Sequence, residues 1–151
     1  MKYYLVALLA LAASCKARNN GNQSADTSTQ PSMKADLMPV VNSADYELPR
    51  GAEPASVVSH RISGDSLYVK VSYSGGCAEH SFLLYANGMY MKSLPLQLPV
   101  KLLHLPVEDN CRQLVEQELV FHLLPLRASN DKADRMFLLL GQEKIEYIYP
   151  K

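Results

Sequence analysis

The chain has 151 residues, with 15 lysines and arginines balanced by 15 aspartates and glutamates and a formal net charge of zero. Its basic residues are scattered, without a stripe or an aromatic-basic interleave, which argues against nucleic acid as a partner. No glycine-rich phosphate loop, G-x-S-x-G nucleophile elbow or paired-carboxylate motif marks it as an enzyme, and no cofactor is implied.

The chain opens MKYYLVALLALAASC. Lys2 supplies a positive start, residues 5–12 are uninterruptedly apolar, and the small residues Ala13 and Ser14 precede Cys15. A signal-peptide core spans about 7 to 15 apolar residues and ends in small ones; a membrane span needs roughly 20. Residues 1–14 therefore read as a signal peptide. Cys15 after the small residues resembles the lipobox of bacterial lipoproteins, although Ala12 stands where the pattern usually has leucine. The resemblance implies that Cys15 is lipidated, with palmitate among its acyl chains, and becomes the first mature residue. Such an anchor is effectively permanent, since each buried methylene contributes about 0.8 kcal/mol. Lys16 follows, with no aspartate there and no acidic export stretch after it. By analogy with lipoprotein sorting, that implies the outer membrane of a Gram-negative bacterium, first on its periplasmic face and second at the surface. The alternative is an ordinary secretory signal that leaves Cys15 a free thiol.

Residues 15–44 are rich in Asn, Ser, Thr, Gln and Pro, contain no aromatic residue and show no sustained apolar period. Such a segment cannot bury enough apolar surface to offset its ordering entropy, so it reads as a flexible tether. Leu37, Met38, Val40 and Val41 are the exception: a sticky linker around Pro39, or the start of a first strand.

Residues 45–151 make one domain by size, and they read as strands. SVVSHRI leads through Ser63, Gly64 and Asp65, good turn chemistry, into SLYVKVSY, where Leu67, Val69, Val71 and Tyr73 alternate with polar neighbours. HSFLLY stops at Asn87-Gly88, a hairpin signal that makes MYMKSL the return strand. LQLPVKLLHL holds Pro99, which suggests an edge strand or a bulge. CRQLVE has the look of a helical turn before the strand QELVFHLLPL, and RMFLLLG with KIEYIYP closes the chain. Seven or eight short strands predict an all-β fold: a small antiparallel, immunoglobulin-like sandwich, with a small barrel as the alternative.

With Cys15 assigned to lipid, Cys77 and Cys111 remain, and an oxidising compartment favours a disulfide between them. Closing that loop contributes about 4 kcal/mol on the chain-entropy model. The competing reading is a metal site. Cys77, Glu79 and His80 lie close in sequence, and so do His104, Asp109 and Cys111. Against it, structural zinc sites use tight C-x2-4-C and H-x3-5-H pairs, and neither occurs. Adjacent residues such as Glu79 and His80 also point to opposite faces of a strand. A catalytic thiol at Cys77 with a histidine base is weaker still, because it must escape oxidation. His104 is in phase with Leu98, Val100 and Leu102, and His80 with Phe82 and Leu84. Both are expected to face the core side and to be satisfied by hydrogen bonds.

Tyr73, Ser74, Gly75, Gly76, Cys77, Glu79, His80, Phe82 and Leu84, then His104, Asp109 and Cys111, then Glu118, Leu119, Phe121, Leu123, Pro125 and Leu126 resemble the pattern of a group of uncharacterised bacterial lipoproteins. The resemblance covers residues 66–126 and carries no assigned activity. It implies that Glu79, His80, His104 and the two cysteines lie together in space. The sequence thus predicts a non-enzymatic, membrane-tethered domain that binds an envelope protein or a small ligand, with Glu79, His80, His104 and Asp109 as candidate binding residues. A metal site or a periplasmic enzyme built on the same cluster is the alternative.

Overall fold

In the computed structural model, residues 37–129 and 133–151 are described. The expected signal peptide, the expected lipidation at Cys15 and most of the expected tether fall on residues outside them. Ten strands follow in chain order: β1 (Leu37–Met38), β2 (Val40–Asn42), β3 (Glu53–Pro54), β4 (Ser56–Ser63), β5 (Ser66–Gly75), β6 (Phe82–Ala86), β7 (Leu96–His104), β8 (Gln113–His122), β9 (Arg135–Leu140) and β10 (Glu143–Ile148). A single 3-10 turn at Leu124–Leu126 is the one helical element among the described residues.

The strands form two sheets, ordered β1-β8-β5-β4 and β10-β9-β7-β6-β2, with β3 beside β7. Their inner faces share one core. Leu67, Val69 and Val71 of β5 and Leu119 and Phe121 of β8 meet Phe82, Leu84, Leu98, Met136, Leu138 and Tyr147 from the opposite sheet. The alternation of SLYVKVSY explains its placement: Leu67, Val69 and Val71 are fully buried, and the residues between them are not. The fold is thus an all-β sandwich, not a closed barrel. Gly64 and Gly141, both at positive φ, make the two-residue turns of the β4–β5 and β9–β10 hairpins.

Five local expectations are corrected. Pairing is mixed rather than antiparallel throughout, because β1–β8, β2–β6 and β7–β9 are parallel. Leu37–Met38 and Val40–Asn42, assigned by composition to the tether, are strands of the two sheets; Met38 and Val40 pack on the core, and that burial outweighs the polar flanks. The partner of β6 is not MYMKSL but β7, reached through a longer loop in which only Met91 bridges to Gln97. Met89 and Met91 in that loop are exposed and only Tyr90 between them packs on the core, so the segment lacks the repeated inward face of a strand. CRQLVE forms no helical turn: its residues from Gln113 onward open β8 and pair with β5 from Gly75 backwards.

β7 is central, not an edge. Pro99 is tolerated because β6 ends opposite Val100, so at Pro99 only the β9 flank of β7 is paired.

Candidate functional site

At one end of the sandwich the chain crosses between sheets twice. β5 ends at Gly75 in one sheet and the chain enters the other at Phe82; β7 ends at His104 and the chain returns to the first sheet at Gln113. Cys77 in the first crossing is disulfide-bonded to Cys111 in the second, with a Cα–Cα distance of 5.8 Å.

Asp109 repeats that link without a covalent bond. Its Oδ2 accepts the backbone N–H groups of Cys77 and Ala78, each at 3.0 Å, and its Oδ1 accepts the N–H of Cys111 at 2.8 Å. His80 Nε2 lies 3.1 Å from the same Oδ2, and His80 Nδ1 lies 2.7 Å from His104 Nε2. The His80 and Asp109 side chains are only 2% and 3% exposed, so an unpaired charge here would be costly.

Protons can be placed along this chain of contacts. A carboxylate only accepts, so His80 Nε2 carries the proton that bonds Asp109. A neutral His80 then has a bare Nδ1, which accepts from His104 Nε2–H, and His104 keeps a bare Nδ1. The hydrogen bond from His80, with those from the backbone of Cys111, Ala78 and Cys77, outweighs burial and holds the Asp109 carboxyl well below the usual carboxylate range. Burial lowers the His104 pKa, a positive charge on His80 would lower it further, and the charge of Glu53 opposes both.

Aromatic rings wall the two imidazoles. Tyr73 stands 4.4 Å from His80 and 5.4 Å from His104, and Phe82 stacks on His104 at 4.7 Å. The Tyr73 hydroxyl donates to Gln117 Oε1 at 2.9 Å. Gly75 is buried beneath the pair: a β-carbon there would lie 2.8 Å from His80 Cε1 and 2.9 Å from Asp109 Oδ2. The glycine in Ser-Gly-Gly-Cys is therefore room for the histidine.

The structure brings together His80, His104, Asp109 and the two cysteines. It leaves Glu79 out: that residue is exposed and makes no hydrogen bond or ion pair to a described residue, because the loop turns it away while His80 is drawn inward. Cys77, Asp109 and Cys111 place donor atoms within 4.8 Å of one another. Two of those three donors are sulfurs already bonded to each other, so no thiolate remains to hold an ion. A depression of about 240 Å³ lies beside the cluster, lined by Glu53, Ser74 and His104 among others.

Sequence reasoning missed a second polar cluster at the opposite end of β5. Asp65 Oδ1 accepts from Arg127 and from the Tyr147 hydroxyl, and Arg127 Nε donates to that hydroxyl at 2.8 Å. Burial and the bond to Asp65 push the Tyr147 pKa up to about 12. Tyr147 is fully buried. Its in-phase position with Ile145 was the available signal.

No protein-family model matches the chain, and no curated protein matches it. Among solved structures, a NigD-like immunity protein from Bacteroides caccae is similar at 14% identity and a TM-score of 0.49, over 74% of this chain and 58% of that one. A protein of unknown function, DUF1344, from Bacteroides vulgatus is similar at 17% identity and a TM-score of 0.42, over 76% of this chain and 57% of that one. The chain thus spans under two thirds of the length of either.

Proposed function

We propose that this chain is an envelope lipoprotein, anchored through Cys15 on the periplasmic face of an outer membrane, whose folded part works by binding rather than by catalysis. The partner is an envelope protein or a small ligand. The observation that carries the second half is the saturation of Asp109. Its Oδ2 takes the backbone N–H groups of Cys77 and Ala78 and the His80 N–H, and its Oδ1 takes the N–H of Cys111, so the carboxylate is spent on tying the two crossings together. His80 is occupied at both ring nitrogens. The cluster is a brace across two inter-sheet crossings, parallel to the disulfide.

Native mass spectrometry of the full chain purified from cell membranes tests the anchor and the brace together. The expected species begins at an acylated Cys15, is two hydrogens lighter than the reduced form, and carries no metal. An unacylated chain overturns the anchor, and a reduced chain with one bound zinc or copper overturns the brace.

A further inference from the structure

Strand β7 is flanked unevenly. β6 pairs with its residues 100–104 on one side; on the other, β9 pairs with residues 96–100 and β3 with residues 103–104. Lys101 and Leu102 fall in the gap between β9 and β3, where only the N–H of Ala55 reaches the Leu102 carbonyl, at 2.9 Å. A groove of about 490 Å³ opens there, walled by aliphatic groups of Leu48, Pro54, Val57, Leu102 and Leu140. Its size is that of a small-molecule site, roughly 300–1,000 Å³. Lys101 is the single ionisable residue of its lining.

A second depression, of about 240 Å³, shares Leu48 and Lys101 with the groove and adds Tyr85, Asn87 and Pro99. Its polar side chains are Lys101, Asn87 and Tyr85, each of which can donate a hydrogen bond. Lys101 makes no ion pair with a carboxylate among the described residues. Asn87 Oδ1 already accepts the Met89 N–H at 3.1 Å, which leaves the amide nitrogen as the free end of that side chain. An aliphatic trough bordered by Lys101 and continuous through Leu48 and Lys101 with a depression that holds Asn87 suits a ligand with an alkyl chain and one anionic head.

We propose that the groove and the adjoining depression form one site for a long-chain carboxylate, with the alkyl chain along Leu48, Val57 and Leu140 and the carboxylate on Lys101 and Asn87. The proposal rests on the reading of the folded part as a binding domain and supplies its ligand class.

The test uses the full chain in phosphatidylcholine nanodiscs and palmitate carrying a mid-chain diazirine, with irradiation followed by peptide mapping. Labelling is expected on residues 48–57 and 100–103, suppressed by unlabelled palmitate and much less by hexadecanol, which lacks the charge. Lys101→Glu, an exposed strand position that leaves the core untouched, is expected to lower labelling about tenfold or more, the loss of a charge-assisted bond. Label scattered over the surface overturns the site, and equal competition by hexadecanol with unchanged labelling of K101E overturns the carboxylate. Neither outcome bears on acylation or the disulfide, which the mass of the intact chain reads separately.

Discussion

His80 and Asp109 meet from different inter-sheet crossings, His80 Nε2–H donating to Asp109 Oδ2 across 3.1 Å. The bond joins the β5–β6 connection to the β7–β8 connection beside the Cys77–Cys111 disulfide. Replacing Asp109 with Asn keeps the shape but turns one accepting oxygen into a donor, opposite N–H groups that already donate. The D109N chain is expected to melt several degrees lower than the wild type with its disulfide intact, measured by circular dichroism. An unchanged melting temperature would show that the disulfide alone holds the crossings.

Gly75 leaves no room for a side chain against His80 and Asp109. Gly75→Ala is expected to cost about 1–3 kcal/mol, the range for overpacking a filled site, or roughly 4–8 °C of melting temperature per kcal/mol in a domain of this size. Gly141→Ala is the comparison. A β-carbon there meets nothing within 4 Å, so only the strain of its positive φ is expected.

Acid should weaken the fold in two steps of the same sign. The folded pKa of His104 is lowered, so below the unfolded value of about 6.5 the unfolded chain takes up the proton first and stability falls with pH. The folded pKa of Asp109 is also lowered, so its contribution is complete above the unfolded value of about 3.9 and is lost as pH falls below it. Denaturant midpoints measured from pH 7 to pH 5 are expected to fall in the wild type and to flatten in His104→Phe. A midpoint that rises on acidification would mean that the histidine pair is charged in the folded state.

The proton placement predicts one tautomer for both histidines. Nitrogen-15 correlation spectra at pH 7.5 should show His80 and His104 each protonated at Nε2 and bare at Nδ1. An Nδ1–H signal from His80 would reverse the direction of the bond to His104.

At the other end of the sandwich, Tyr147→Phe removes the hydroxyl that donates to Asp65 and accepts from Arg127. A loss of about 0.5–1.5 kcal/mol is expected, the net worth of a hydrogen bond whose remaining partners are half-buried and can reach water. Urea unfolding measures it; a change under half a kcal/mol would mean that Arg127 alone satisfies Asp65.

Much of this was legible in the sequence because it rests on local rules. Period-two burial placed β5, and the phase of His104 with Leu98, Val100 and Leu102 put its ring toward the core. Cysteine counting paired Cys77 with Cys111. What escaped depends on partners distant in the chain. The parallel pairing of Val40 with Leu84 and of Leu98 with Leu138 has no local signature. Asp65, Arg127 and Tyr147 are ordinary residues until the fold joins them. Glu79 was included because it neighbours Cys77 in sequence, and the turn of the loop took it to solvent. Gly75 is one residue of a motif in the sequence, and only the fold shows that a histidine packed against it leaves no room for a side chain.

The carboxyl carbon of Asp109, followed by carbon-13 spectroscopy as pH is lowered, tests the central claim most directly. A carboxylate saturated by three backbone N–H groups and His80 stays ionised through the range where an ordinary aspartate, at about 3.9, takes its proton. A shift that begins only well below that value, with the Cys77, Ala78 and Cys111 amide signals moving together with it, is the predicted result. Titration of Asp109 in the ordinary range, with those amides unmoved, would contradict the brace.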